Sequence, residues 1–341
     1  MPWMKAAVFY GPNQPLKVEE YPTPKPGAGE ALVEVAACGV CHTDLHYLKG
    51  VPTFKKPPMI LGHEISGTVA EVGGDVKEVS VGDRVLVPAI LPCGKCYYCR
   101  AGRENICLNL LMVGNMVDGG YAEYIKVPSK DLIKLPKEIP LQEGAVIADA
   151  ITSPYAAVVR RAELKPGETV AVWGATGGLG LNTVQIAAAL GGKVIALGRR
   201  EDNLKLAKEL GAWETINLKE DKEPVRTIRK LTAGGVDVAF DCTGVAQVME
   251  QAFESVRQGG RFIIVGYSDK PITINAGRIM FRELEIRGVM GCRPIDYYGA
   301  VEMVRSGRIK LLVSHKLPLE QINEAFKLLE EGKVTRAIVI P

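Results

Sequence analysis

The stretch "TVAVWGATGGLGLNTVQIAAALGGKVIALG", residues 169–198, constrains the fold more than any other. An uninterrupted apolar run leads into a glycine-rich turn, then a long apolar segment, then a second apolar run. Strands buried on both faces read this way, and helices must cover those faces. The alternation continues. "EDNLKLAKELG" reads as a helix ended by Gly211, "VDVAFDCTG" as a strand, "VAQVMEQAFESVRQGG" as a helix and "RFIIVGY" as a strand. This half of the chain is therefore predicted to be α/β, with a doubly wound parallel sheet of the Rossmann type.

Within it, Gly174, Gly177, Gly178 and Gly180, with Leu179 between the last two, form G-x-x-G-G-x-G. Set between a buried strand and a helix, such glycines let the backbone approach a pyrophosphate at the helix N-terminus. The next strand, "KVIALGRRED", bears on which dinucleotide binds. An Asp or Glu at its end accepts from the ribose 2′-OH of NAD. Gly198 stands there instead, followed by Arg199 and Arg200. A 2′-phosphate is compatible with a glycine beside two guanidinium groups, so NADP(H) is expected over NAD(H). The rival is a solvated helix start, with Glu201 and Asp202 neutralising the arginines.

The first 150 residues differ in texture. "KAAVFYG", "ALVEVAA", "EISGTVAEVG" and "RVLVPA" alternate or run apolar between Gly, Pro and Asp, as in an irregular β-barrel. After about residue 290 a helix-turn-strand pattern ends in "RAIVIP" and is expected to pack back on the first part. The expected division is 1–150, 151–290 and 291–341. A net charge of +3 makes no case for nucleic acid. No apolar run approaches a membrane span, and "MPWMKAAVFYG" lacks the pattern of a secretory signal, so a cytoplasmic protein without a membrane partner is expected. Eight cysteines then argue for metal ligands or free thiols.

Cys93, Cys96, Cys99 and Cys107 stand at C-x2-C-x2-C-x7-C. Four thiolates on one short loop can wrap a tetrahedral ion and leave no open position, which favours structural zinc. A ferredoxin-type iron–sulfur cluster shares the opening spacing, but its fourth cysteine comes sooner and precedes proline. A second set lies in "ACGVCHTDLH" and "LGHEISG". Cys41, His63 and Glu64 offer sulfur, nitrogen and oxygen, a mixture that suits zinc with an open site.

"GVCHTDLH", then "GHE", then the four-cysteine loop, then a dinucleotide fold resembles the zinc-dependent medium-chain alcohol dehydrogenase family along the whole chain. The resemblance implies a GroES-like catalytic barrel, a Rossmann domain, and one catalytic and one structural zinc. By it, Cys41, His63 and Asp149 hold the catalytic ion, with Glu64 exchangeable. Asp149 stands where many members have Cys; a buried helix cap is its rival reading. Asp44 would orient His63, Thr43 would bond the substrate oxygen and His46 would relay its proton. His42 and Arg336 would lie near the cofactor pyrophosphate, and backbone at Val265, Gly266 and Tyr267 would face the nicotinamide. Cys38 reads as a buried apolar residue. "PITIN", residues 271–275, reads as an edge strand joining subunits of a homotetramer or homodimer. The implied reaction is reversible hydride transfer between a small-molecule alcohol and NADP(H), giving an aldehyde or ketone. Ala89, where many relatives place an aromatic ring, suggests room for a bulky or branched substrate. The alternatives are a polyol or amino-alcohol dehydrogenase of the same family and a non-catalytic NADPH-binding protein.

Overall fold

The computed structural model describes residues 2–341, which divide into two units, residues 2–152 with Gly291–Pro341, and Ser153–Met290. The spine of the first unit is the strand Glu30–Val40, whose sequence EALVEVAACGV is apolar over most of its length. Three strands pair with it antiparallel. Glu64–Val72 runs along one side, Tyr124–Pro128 lies against its start and Ala337–Ile340 against its end. Arg84–Val87 extends the sheet beyond Glu64–Val72, and His315–Pro318 extends it beyond Ala337–Ile340. A separate sheet joins Lys17–Pro22, Trp3–Phe9 and Met59–Ile60.

Val8, Val33, Ile65, Tyr121 and Phe326 are among the residues of this unit's core. The Tyr121 and Phe326 rings meet edge to face at 6.0 Å, a geometry their quadrupoles favour. The central strands run so close that a Cβ at Gly67 would sit 2.6 Å from Val33 Cγ1. Beyond Gly291 the chain adds the helices Pro294–Arg305 and Ile322–Glu330 before its last strand joins the spine.

In the second unit six strands pair parallel in the spatial order Glu214–Asn217, Lys193–Gly198, Thr169–Trp173, Val236–Asp241, Val256–Ile264, Glu285–Gly288. In chain order this is 3-2-1-4-5-6, the doubly wound arrangement, with its switch point between Thr169–Trp173 and Val236–Asp241. Trp173, Phe240 and Phe262 are fully buried within it.

One expectation is corrected. The helix expected over 245–260 spans only Ala246–Glu254, and Val256–Ile264 is a strand. Val256 is buried and pairs with Val236, so sheet pairing takes the segment that local pattern gives to the helix. Gly259, at a φ of +68°, lies where the ladder is irregular. Residues 271–275 pair with no strand among the described residues, and Asn275 caps the helix Ala276–Arg282, accepting from the Arg278 N–H.

The Phe262 ring packs edge to face on Phe253 at 6.1 Å. Phe262→Ala should cost about 3–5 kcal/mol. The check is a fall in the urea midpoint followed through buried Trp173, and an unmoved midpoint would contradict this account of the core.

Candidate functional site

The four-cysteine loop is closed around a common centre. Sγ atoms of Cys96 and Cys99 lie 3.5 Å apart, Cys96 and Cys107 3.7 Å, and Cys93 and Cys99 4.0 Å. Four thiolates at ~2.3 Å from one tetrahedral ion would stand about 3.8 Å apart. A disulfide would be far shorter, and thiolates of a four-iron cluster, each on a different iron, would stand further apart. Backbone N–H groups of Cys93 and Asn109 point at Cys107 Sγ, each at 3.3 Å. N–H groups of Lys95 and Cys96 pull the Cys93 thiol down to about 6, whereas burial and its sulfur neighbours push Cys99 up to about 12. A cation would relieve that crowding, and the donor set fits zinc.

The second cluster is assembled by strand register. Gly39 pairs with Glu64 on one side of the spine and with Ile338 on the other. Cys41 follows the spine strand, His63 precedes Glu64, and Arg336 precedes the strand Ala337–Ile340, so all four reach one level. Asp149 arrives after the 3₁₀ segment Glu143–Ala148. Tyr297 steadies that segment, accepting from the Ala89 N–H at 3.3 Å and donating to the Ala148 carbonyl at 3.0 Å. Ligand atoms of Cys41, His63, Glu64 and Asp149 all lie within 4.8 Å of one another.

Fully buried Asp44 sits behind His63, its Oδ1 3.4 Å from Nδ1. Asp44 is itself fixed by the Gly62 N–H at 3.2 Å and the Tyr121 hydroxyl at 2.9 Å. The opposite ring nitrogen, Nε2, faces Asp149 Oδ2 at 3.6 Å. Burial lowers the His63 pKa, but Asp44, Asp149 and Cys41 together lift it well above its ordinary value. An imidazole among such acceptors fits a divalent ion, which would take the place of the proton. Asp149 ends the 3₁₀ segment and does not immediately precede the next helix, which begins at Thr152, so it is not that helix's N-cap.

Burial pushes the Glu64 carboxyl up to about 7, against the pull of Arg336. Arg336 Nη1 lies 2.9 Å from Glu64 Oε1, yet neither oxygen has an aligned hydrogen bond. A Cβ at Gly39 would stand 2.8 Å from Glu64 Cβ, so the glycine makes room for this side chain. Arg336, expected near a pyrophosphate, has its guanidinium at the metal-type cluster. It is 6% exposed, pairs with Glu64 and donates to the Val40 carbonyl at 3.1 Å. Burial works against its charge, and Glu64, Cys41 and Asp149 more than restore it.

The helix His42–Leu48 carries the remaining residues of this motif. Asp44 faces inward, Thr43 is exposed with Oγ1 3.6 Å from Cys41 Sγ, and exposed His42 and half-buried His46 share a face four residues apart. Cys38 is buried outside the ligand cluster. Tyr121, Gly39 and Tyr297 escaped the sequence reading, because neither ligand-type chemistry nor spacing marks them.

In the second unit Gly174 takes a φ of +84°, and a Cβ at Gly180 would stand 2.7 Å from Ala175 Cα. Gly177 caps the helix Gly178–Ala189, so the N–H groups of Gly178, Leu179 and Gly180 lie in its first turn without intrahelical partners. Val265 and Gly266 both donate to the Asp241 carbonyl at 3.0 Å, leaving Tyr267 exposed near Gly244 at the same edge of the sheet. Gly198 is buried at its strand end and Arg199 is exposed, whereas Arg200 is half-buried and donates to the Thr176 carbonyl. Glu201 accepts from Asn217 at 3.0 Å, and Asp202 lies 3.9 Å from Lys205.

Two family models match the chain, an alcohol dehydrogenase GroES-like domain over residues 27–137 and a zinc-binding dehydrogenase over residues 178–306. An alcohol dehydrogenase of Geobacillus stearothermophilus is 39% identical across 99% of this chain and 98% of its own. The chain belongs to the zinc-dependent medium-chain dehydrogenase/reductase family. Membership accounts for a GroES-like barrel joined in sequence to a Rossmann-type sheet. Another family member, an acryloyl-coenzyme A reductase of Sulfurisphaera tokodaii, is 34% identical over 99% of this chain and 100% of its own. A Sinorhizobium meliloti protein assigned to the zinc-binding dehydrogenases and solved with NADP bound is 32% identical, with a TM-score of 0.91 and full coverage of both chains. No helix among the described residues is long and apolar enough to cross a membrane.

Cys107→Ser should lower bound zinc from about two ions per chain to about one and lower the melting temperature. Metal analysis of the purified variant decides this, and unchanged zinc would remove the loop from the metal-binding residues.

Proposed function

We propose that this chain is a zinc-dependent alcohol dehydrogenase that transfers hydride reversibly between an alcohol and NADP(H), giving an aldehyde or ketone. The convergence of Cys41, His63 and Asp149 carries the reading. One thiolate, one imidazole and one carboxylate make a three-ligand set that leaves a position for an alcohol oxygen. A zinc ion held by these residues would supply Lewis acidity, and a dinucleotide held by the glycine loop would supply the hydride chemistry.

The chain's own residues do the rest. Asp44, locked by Tyr121 and Gly62, keeps His63 turned toward the ion. Glu64, tied to Arg336, is the exchangeable ligand. Thr43 offers its hydroxyl to the substrate oxygen, and His46, one turn further along the helix, passes the proton toward solvent. The first turn of Gly178–Ala189 takes the pyrophosphate. Preference for NADP(H) rests on Gly198, which places no carboxylate against a 2′-phosphate, and on the exposed Arg199 guanidinium.

The test is an absorbance assay of zinc-replete protein with primary, secondary, benzylic and polyol substrates, each with NADP and NAD. Turnover of simple alcohols with higher kcat/KM for NADP is expected; no turnover of any alcohol or carbonyl by zinc-loaded protein would sink the proposal. Asp149→Ala should lose one zinc per chain and lower kcat/KM by about 100-fold or more. Full metal content and activity in that variant would exclude Asp149 as a ligand.

A further inference from the structure

We propose that Thr176 is a steric lock on cofactor choice, excluding from position 198 the acidic side chain that would select NAD(H). The inference rests on the NADP(H) reading and deepens it. Gly198 is buried at the end of Lys193–Gly198, and its φ lies outside the left-handed region. Its backbone therefore permits a side chain, and what is missing is space. A Cβ there would stand 2.7 Å from Thr176 Oγ1, 2.9 Å from Thr176 Cβ and nearer still to Cγ2.

Rotation of Thr176 moves Oγ1 and Cγ2 but not Cβ, so no rotamer clears the contact. Backbone movement is opposed as well. The N–H groups of Gly174 and Ala175 donate to the Leu197 carbonyl at 3.1 and 2.8 Å, tying the glycine loop to the neighbouring strand. The Thr176 carbonyl accepts from Arg200 and, at 2.7 Å, from Asn203 Nδ2. Four donors thus fix the distance between residues 176 and 198. Arg200 acts here as a positioning residue on the loop, which leaves exposed Arg199 to meet a 2′-phosphate.

An aspartate placed at 198 would consequently push on the loop that takes the pyrophosphate. It would weaken both cofactors rather than exchange one for the other. Clearing Thr176 should convert the same aspartate into a 2′-OH acceptor.

The experiment is calorimetric binding of NAD and NADP to zinc-replete wild type, Gly198→Asp, Thr176→Gly/Gly198→Asp and Thr176→Ala/Gly198→Asp, with melting temperatures for Gly198→Ala with and without Thr176→Gly. Gly198→Asp alone should lose about tenfold or more in affinity for both cofactors. The Thr176→Gly double variant should regain about tenfold for NAD but not for NADP, with the Thr176→Ala double between. Gly198→Ala should lower the melting temperature by about 2–4 °C, a loss that Thr176→Gly cancels.

A gain of NAD affinity in Gly198→Asp without change at Thr176 would overturn the lock and leave the NADP reading standing. Equal wild-type affinities for the two cofactors would overturn the NADP reading. The melting-temperature cycle would still decide the lock, supporting it if Thr176→Gly cancels the loss and overturning it if the two substitutions simply add.

Discussion

The register of three strands governs the cluster of Cys41, His63, Glu64 and Arg336. Gly39 on the spine strand faces Glu64 across one ladder and Ile338 across the other. That alignment brings a thiol, an imidazole, a carboxylate and a guanidinium to one level from segments far apart in sequence. A slip of one residue in either ladder would turn the side chains of the slipped strand to the opposite face. The ladder hydrogen bonds and the near-continuous burial of these strands that hold the register are thus also what hold the cluster together.

Charge explains why the cluster is built with an arginine behind it. Cys41, Glu64 and Asp149 are three potential anions around one imidazole, with Asp44 a fourth on its far side. Packing so much negative charge out of water is costly without compensation. Arg336 offsets part of it permanently, and a divalent cation would offset more. The four-cysteine loop meets the same problem differently, with backbone N–H groups aimed at sulfur. The two sites differ accordingly. One spends every donor on a closed shell, and the other keeps a mixed and incomplete one.

Much of this was legible in sequence because it is written in residue types whose chemistry is narrow. Cysteines at short spacing, a His-Glu pair opening a strand, and glycines between an apolar strand and a helix admit few readings. What escaped was written in residues with ordinary alternatives. Tyr121 looks like any core aromatic until its hydroxyl is seen on Asp44. Gly39 looks like a gap in a strand until Glu64 is seen beside it. The pairing of Arg336 with Glu64 was not legible because it follows from the pairing of the last strand with the spine, which no local pattern announces. The helix ending at Glu254 was overextended for a related reason, since the pairing of Val256 with Val236 outweighs local helical preference.

The hydrogen bond from Arg336 to the Val40 carbonyl spans 296 positions of chain. The whole of the second unit, Ser153–Met290, is threaded between its two ends. During synthesis the spine strand therefore waits, with one edge incomplete, while the Rossmann sheet is made. Once that sheet folds it replaces a long flexible loop with a fixed insert, which lowers the entropy lost in joining the two ends. The order of events follows from topology: the inserted unit can mature on its own, and the barrel and its metal-ligand cluster are finished last.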